Sequence, residues 1–316
     1  MTGATFMLRR TNPAVAIVVM VMVVLIGVGF SLSDRFGTLG NLVNVFEQSA
    51  GLGFVSLGQT LVILTGGIDL SIGGIVTVSA MLTSGLIDGE SARIVPVVVG
   101  VLALGAAIGA VNGAVAVGLG VHPLIVTLGM ASILQGAALL YSLTPPGSVP
   151  YEFEGFAYGR YLGVPIAGAA MLALFALAAV FLRHSRTGRR IYAVGGDPSS
   201  ARLAGISPSR ILILAYALSG ACAALTGIYL VSRLGIGDPW AGQGWDLRSV
   251  TPVVLGGTIL AGGRGGVLGT LLGVLLISLL NNLLNHLDVS TYYQWIMQGL
   301  IIIIAVSVFV ERRDRA

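Results

Sequence analysis

Between Ala50 and Ile87 the only ionisable side chain is Asp69, set in the run Val62-Ile63-Leu64-Thr65-Gly66-Gly67-Ile68-Asp69-Leu70-Ser71-Ile72-Gly73-Gly74. A lone carboxylate at bilayer depth costs on the order of 2.5–3.5 kcal/mol, so it must face protein, a cavity or an interface. Ala50 to Gly66 makes about 25 Å of helix, barely a span, and Leu70 to Ile87 is about as long. Gly66 and Gly67 therefore punctuate two helices or one broken helix, with Asp69 where the second would take its N-cap. Two roles stay open for this carboxylate: capping backbone N–H groups, or lining a solute path. Neutral polar side chains within apolar sequence are the other candidates for such a path. They are Gln59, Ser71, Thr127, Gln135, Thr258, Asn281 and Asn282. Thr127, Ser132 and Gln135 serve equally well as hydrogen-bonding glue between helices.

Nothing in the chain points to catalysis. There is no phosphate-binding loop, and with no lysine at all the chain cannot supply the usual ATP-site lysine. No Ser-His-Asp set appears. Cys222 is the only cysteine, and His122, His184 and His286 have no metal-ligand spacing, so no disulfide, metal or cofactor is expected. If transport is driven by ATP, Mg-ATP is held by another polypeptide.

The elements that must position these residues follow from composition. The 316 residues are 55% hydrophobic and only 9% charged, against about 25% charged for soluble domains. Mean hydropathy is +0.95. The expected fold class is all-α, a polytopic integral membrane protein with about ten hydrophobic segments including short or broken helices. Residues 1–316 form a single transmembrane domain. Spans are expected over about 13–32, 50–66, 70–87, 95–118, 124–143, 162–182, 211–230, 249–260, 267–284 and 292–310. Ser33 to Ser49, with Asp34, Arg35, Asn41, Asn44, Glu47 and Gln48, is too polar to cross and reads as an external or interfacial helix. Gly105, Gly109 and Gly113 recur every four residues and mark a close-packing face.

Arginine placement sets the orientation. Arg9 and Arg10 precede the first span, six arginines fall in 183–210, and Arg312, Arg313 and Arg315 end the chain. By the positive-inside rule these lie in the cytoplasm with both termini. The net charge of +4 follows from those loops, so nucleic acid is not indicated. Gly256-Gly257-Thr258-Ile259-Leu260-Ala261-Gly262-Gly263 echoes the break at Gly66-Gly67, and interrupted helices at matching positions of two halves point to a transport path.

Within the basic segment, Asp197-Pro198 opens a helix well, Asp as N-cap and Pro at N1, and Gly205 ends it. Such a short helix, held along the membrane surface, can dock on a soluble partner. Asp197, Pro198, Ala201, Arg202, Leu203 and Gly205 are its candidate contacts, with Ala201, Leu203 and Ala204 entering a groove and Arg202 and Asp197 at the rim.

Ile63 to Ser71 resembles the signature of the membrane subunits of ribose-type ABC sugar importers. Ser199-Ser200-Ala201 before Gly205 is similar to their cytoplasmic coupling loop. Ala241 to Leu247, Val253 to Thr258 and Gly262 to Gly265 resemble a second block, where Trp245-Asp246 stands for the family's usual Tyr-Glu. Asn281, Asn282 and Asn285 match an Asn-rich stretch. The resemblance runs from about Asn41 to Val310. It implies a permease subunit in the inner membrane that moves a monosaccharide or similar small polyol. It also implies a second permease, identical or paralogous, with a pore between the two, a cytoplasmic ATPase and an extracytoplasmic sugar-binding protein. The competing class is an ion-coupled secondary transporter of a small polar solute, with Asp69 as its coupling acid.

Overall fold

The computed structural model of the protein describes residues 13–33 and 35–309. The described chain is helical apart from loops and one two-residue hairpin. In order it runs through α1 (Pro13–Leu32), α2 (Leu39–Leu64), α3 (Ile72–Ile87), α4 (Ile94–Leu119), α5 (Pro123–Tyr141) and α6 (Tyr151–Tyr158). The hairpin strands β1 (Arg160–Tyr161) and β2 (Val164–Pro165) lead to α7 (Ile166–His184), α8 (Arg186–Gly196) and α9 (Pro198–Leu203). The rest is α10 (Pro208–Leu234), α11 (Trp245–Leu255), α12 (Val267–His286) and α13 (Thr291–Phe309).

Among the described residues six helices are long and apolar enough to cross a membrane, over Val15–Leu32, Ser91–Leu119, Pro123–Tyr141, Ile166–His184, Pro208–Leu234 and Val267–His286; Ile72–Ile87 is a shorter apolar one. The chain is thus an all-α, multi-pass membrane protein. The arginines at 9, 10, 312, 313 and 315, and Asp34, lie outside the described residues.

The expected boundary between 33–49 and the span after it is corrected. Leu39 to Leu64 is one helix of 26 residues, and of the polar residues of its first turns Asn41 and Glu47 are buried while Asn44 and Gln48 are exposed. Asn41 exchanges amide hydrogen bonds with Asn282 at 2.9 Å in each direction, and Glu47 pairs with Arg160 at 3.3 Å. Buried polar groups with partners do not need water, so Asn41 and Glu47 serve helix contacts. Two other boundaries also move. The expected span over 249–260 is α11 followed by a glycine-rich loop, and the α3 N-cap is Ser71 rather than Asp69.

The core is built on α2 and α10, flanked by α3, α4, α7 and α12. Backbones touch where glycine permits it. Gly105, Gly109 and Gly113 of α4 lie against Gly220, Tyr216 and Ile213 of α10, with no room for a Cβ at any of the three. On the other flank Gly256 and Pro252 meet Gly269 and Gly273 of α12 in the same way.

Candidate functional site

Two breaks in the helical bundle organise the site. At the first, α2 ends with Gly66 at φ +85°, and the N–H groups of Gly66 and Gly67 donate to the carbonyls of Ile63 and Val62. At the second, α11 ends with Gly257 at φ +80°, and Gly257 and Thr258 donate to Val254 and Val253. Both are Schellman closures, in which a left-handed residue turns the chain back over its own last turn. The two turns meet: Gly262 has no room for a Cβ beside the Gly66 backbone, and the Gly263 N–H donates to the Leu64 carbonyl at 3.0 Å.

Beyond the first break the chain runs without helix to Ser71, and Asp69 is completely buried along it. Oδ1 accepts the Ser71 N–H at 3.0 Å and the Ser71 hydroxyl at 2.6 Å; Oδ2 accepts the Ser219 hydroxyl at 2.8 Å. Asn112 Nδ2 of α4 donates to the Ser71 hydroxyl at 2.8 Å, extending the network to a fourth element. The Ile68 carbonyl accepts from Tyr216 at 3.3 Å and from Thr127 at 3.4 Å. Of the two roles left open for Asp69, the geometry is that of a local brace: it holds the turn into α3 and ties it to α10.

The predicted path residues do not converge on one place. Asp69, Ser71 and Thr127 belong to this brace. Gln135 reaches away from it, donating to the Pro239 carbonyl at 3.0 Å, and Thr258 accepts the Gly266 N–H at 3.2 Å inside the second break. Asn281 and Asn282 instead line a vestibule of about 140 Å³ at the end of the bundle opposite α8 and α9, walled by α2, α11, α12 and α13. Gln48, Trp245, Arg248, Asn285 and Gln298 share its wall. Gln298 donates to Asn281 at 3.2 Å, and the Arg248 guanidinium lies 5.2 Å from the centre of the Trp295 ring. Sequence reasoning omits Gln298, a polar residue within an apolar helix, and Gln48, which stands in the polar stretch 33–49. Gln59, lower on α2, is fully buried and neither of its amide atoms has a partner.

At the other end, α8 is followed directly by α9. Asp197 caps α9 as expected: its carboxylate accepts from the Ser200 hydroxyl at 2.6 Å and from the N–H groups of Ser199 and Ser200 at 3.0 and 3.1 Å. These bonds, the Ser200 hydroxyl foremost, hold its carboxyl below the usual carboxylate range. Pro198 stands at N1, and Gly205, at φ +75°, closes the helix. Arg202 is exposed, and Leu203 is 91% exposed. Ala201 is corrected: it is 4% exposed and packs into the core, so it cannot enter a partner's groove. A six-residue helix has too few turns for its inward face to be read from sequence.

The α8 helix was not anticipated, because Gly188, Gly195 and Gly196 argue against a helix. Each of the first two has a reason in packing: a Cβ at Gly188 would overlap Phe181 and Leu182, and one at Gly195 would overlap the Leu64 carbonyl and the Gly263 nitrogen. Gly195 therefore touches both breaks at once. Among the described residues no group of His, Cys, Asp and Glu is placed to hold a metal ion.

Comparison with known proteins covers nearly the whole chain. The family described as branched-chain amino acid transport system / permease component matches residues 41–306. The ribose import permease protein of Escherichia coli (strain K12) is 41% identical over 283 residues, 88% of this chain and 88% of that protein. The fructose import permease protein of Rhizobium meliloti is 34% identical over 311 residues, 94% and 85% of the two chains. The D-allose transport system permease protein of Escherichia coli (strain K12) is 33% identical over 275 residues, 87% and 84%. No solved structure matches.

Proposed function

The chain belongs to the family of branched-chain amino acid transport system permease components, and from that premise we propose that it is the membrane subunit of an ATP-driven importer for a monosaccharide or similar small polyol. The printed activities of three relatives, for ribose, fructose and D-allose, support the substrate class. As a permease the chain is a transport subunit and not an enzyme. Mg-ATP is bound by a separate cytoplasmic ATPase, a second permease completes the membrane unit, and an extracytoplasmic binding protein delivers the sugar. Residues 1–316 act as one permease domain in the inner membrane, with α2, α3, α11 and α13 added to the six long apolar helices to make ten segments. The termini and α8–α9 are cytoplasmic, and the vestibule opens outward.

One observation carries the mechanism: the Gly195 backbone is packed against Leu64 and Gly263. Leu203, with Arg202 beside it, offers the ATPase an apolar contact on a capped helix that continues from α8. Closure of the ATPases on that contact moves α8, and Gly195 transmits the displacement to both breaks together. Those breaks end α2 and α11, two of the walls of the vestibule.

The test is reconstitution with the neighbouring ATPase and binding protein, measuring sugar uptake and ATP turnover. Uptake that needs ATP is expected. Uptake by this chain alone under a proton or sodium gradient would replace the reading with a secondary transporter. Orientation is tested in a Cys222→Ala background: Ser199→Cys and Ser148→Cys should label from opposite faces of sealed cells. Labelling of Ser199→Cys from outside by an impermeant reagent would invert it.

A further inference from the structure

We propose that an anionic phospholipid, from the leaflet on the α8 side, binds in the cleft between α1, α7 and α12. Its phosphate lies on Arg183 and His184, and one acyl chain runs away from α8 between α7 and α12. This binding does not depend on what the chain transports.

The cleft has a volume of about 580 Å³, inside the range of about 300–1,000 Å³ usual for small-molecule sites. Three helices long and apolar enough to cross a membrane meet at it by their ends. The apolar run of α1 starts at Val15, α7 stops at His184 and α12 starts at Val267, and all three residues line the cleft. Its polar end therefore lies at headgroup level. The rest of the wall is hydrocarbon, with Ala179, Val180 and Leu268 on it. Val180 is 58% and Leu268 67% exposed. Between spanning helices such side chains have acyl chains as neighbours, whereas a soluble partner meets only the polar ends of the helices.

Charge selects the headgroup. Arg183 and His184, in the last turn of α7, are exposed on the rim of the cleft. Among the described residues the ion pairs are Glu90–Arg93 and Glu47–Arg160, so Arg183 has no carboxylate partner. The four helices α1, α7, α8 and α12 contain no Asp or Glu, while α8 adds exposed Arg186, Arg189 and Arg190. A phosphate supplies the missing negative charge, and a guanidinium can hold it through two parallel N–H bonds. The ammonium group of a zwitterionic headgroup would find no acid here. Basic pockets between spanning helices at the interface are suited to anionic headgroups. Tyr192 of α8 also lines the cleft, and its hydroxyl donates to the Gly265 carbonyl at 3.1 Å. The lipid thus sits against the joint between α8 and the second break.

The experiment uses the full chain, alone and assembled with the ATPase, and phosphatidylglycerol carrying a photoreactive group on one acyl chain. Crosslinks should fall on the last turns of α7 and the first turn of α12. Unlabelled phosphatidylglycerol should compete, and phosphatidylcholine should not. Glycerol 3-phosphate, a headgroup phosphate without a chain, should not compete either. The double variant Arg183→Gln, His184→Gln should lose labelling at least fivefold at an unchanged melting temperature, and Arg183→Lys, which keeps the charge, should retain most of it. Labelling spread evenly over all lipid-facing helices, equal competition by phosphatidylcholine, or full labelling of the double variant would reveal surrounding lipid only and overturn the proposal. Competition by glycerol 3-phosphate would make the cleft a site for a soluble phosphate and overturn it too. Labelling that vanishes on assembly would give the rim to the ATPase, and a lowered melting temperature of the double variant would assign both residues a structural role; each outcome overturns the lipid site. None of these readouts involves transport, so the proposal and the importer reading fail separately.

Discussion

At Thr65-Gly66-Gly67 the chain leaves α2, and at Gly256-Gly257-Thr258 it leaves α11, by the same pair of backbone hydrogen bonds around one left-handed glycine. The contents then diverge. After the first break Asp69 gathers Ser71 and Ser219, and through Ser71 reaches Asn112, fastening the turn to α4 and α10. At the matching position of the second break stands Leu260, which packs on Ile63, Val250, Val253 and Val254. In this loop the Thr258 hydroxyl accepts the Gly266 N–H and the Gly265 carbonyl accepts from Tyr192, while backbone bonds run from Ile259 to Arg264, from Gly262 to Ile259 and from Gly263 to Leu64. One backbone device is thus followed in one case by a buried carboxylate network and in the other by an apolar contact. Identical turns therefore do not imply identical surroundings; the side chains that follow them decide those.

Removing the brace should have the largest effect. Asp69→Leu leaves two buried hydroxyls and an N–H without their acceptor, a loss of about 3 kcal/mol or more, read as a large drop in melting temperature and in assembled complex. Asp69→Asn keeps an acceptor and should fall between Leu and parent. Equal, parent-like transport by both variants would erase the asymmetry between the breaks.

Next come the glycines that the breaks share. Gly66→Ala and Gly257→Ala each force a side chain into the left-handed region, at about 1–2 kcal/mol. Similar melting losses would support one backbone device used twice. If the second break is the part that moves, Gly257→Ala should also slow uptake more than Gly66→Ala does; equal slowing would contradict that division. The smallest effect belongs to Thr258→Val, which removes one hydrogen bond at about 1 kcal/mol. A loss as great as that of Asp69→Leu would show that the second break is braced as firmly as the first.

The glycine pairs of both breaks, the Asp197-Pro198 cap and the α4 glycine stripe were legible because each is a local device with its own residue signature. What was not legible depended on partners far away in sequence. Asn41 and Glu47 looked like residues needing water until Asn282 and Arg160 were seen to satisfy them. Gly188 and Gly195 have low helix propensity, yet they are the positions where α8 touches other backbones. Of the candidate path residues, Asn281 and Asn282 reached the vestibule and Asp69 did not, since isolation in apolar sequence marks a buried acid without saying what it binds.

The central claim is that α8 conveys ATPase movement to both breaks through Gly195. It is tested by the number of ATP molecules hydrolysed per sugar moved by reconstituted Gly195→Val complexes, beside Leu203→Ser complexes. Gly195→Val, whose new side chain would push α8 away from Leu64 and Gly263, is predicted to bind the ATPase and hydrolyse ATP while uptake collapses, so the ratio rises at least tenfold. Leu203→Ser should instead weaken ATPase binding and leave the ratio of the remaining complexes unchanged. A Gly195→Val complex that assembles and transports at the parent's ratio would contradict the account.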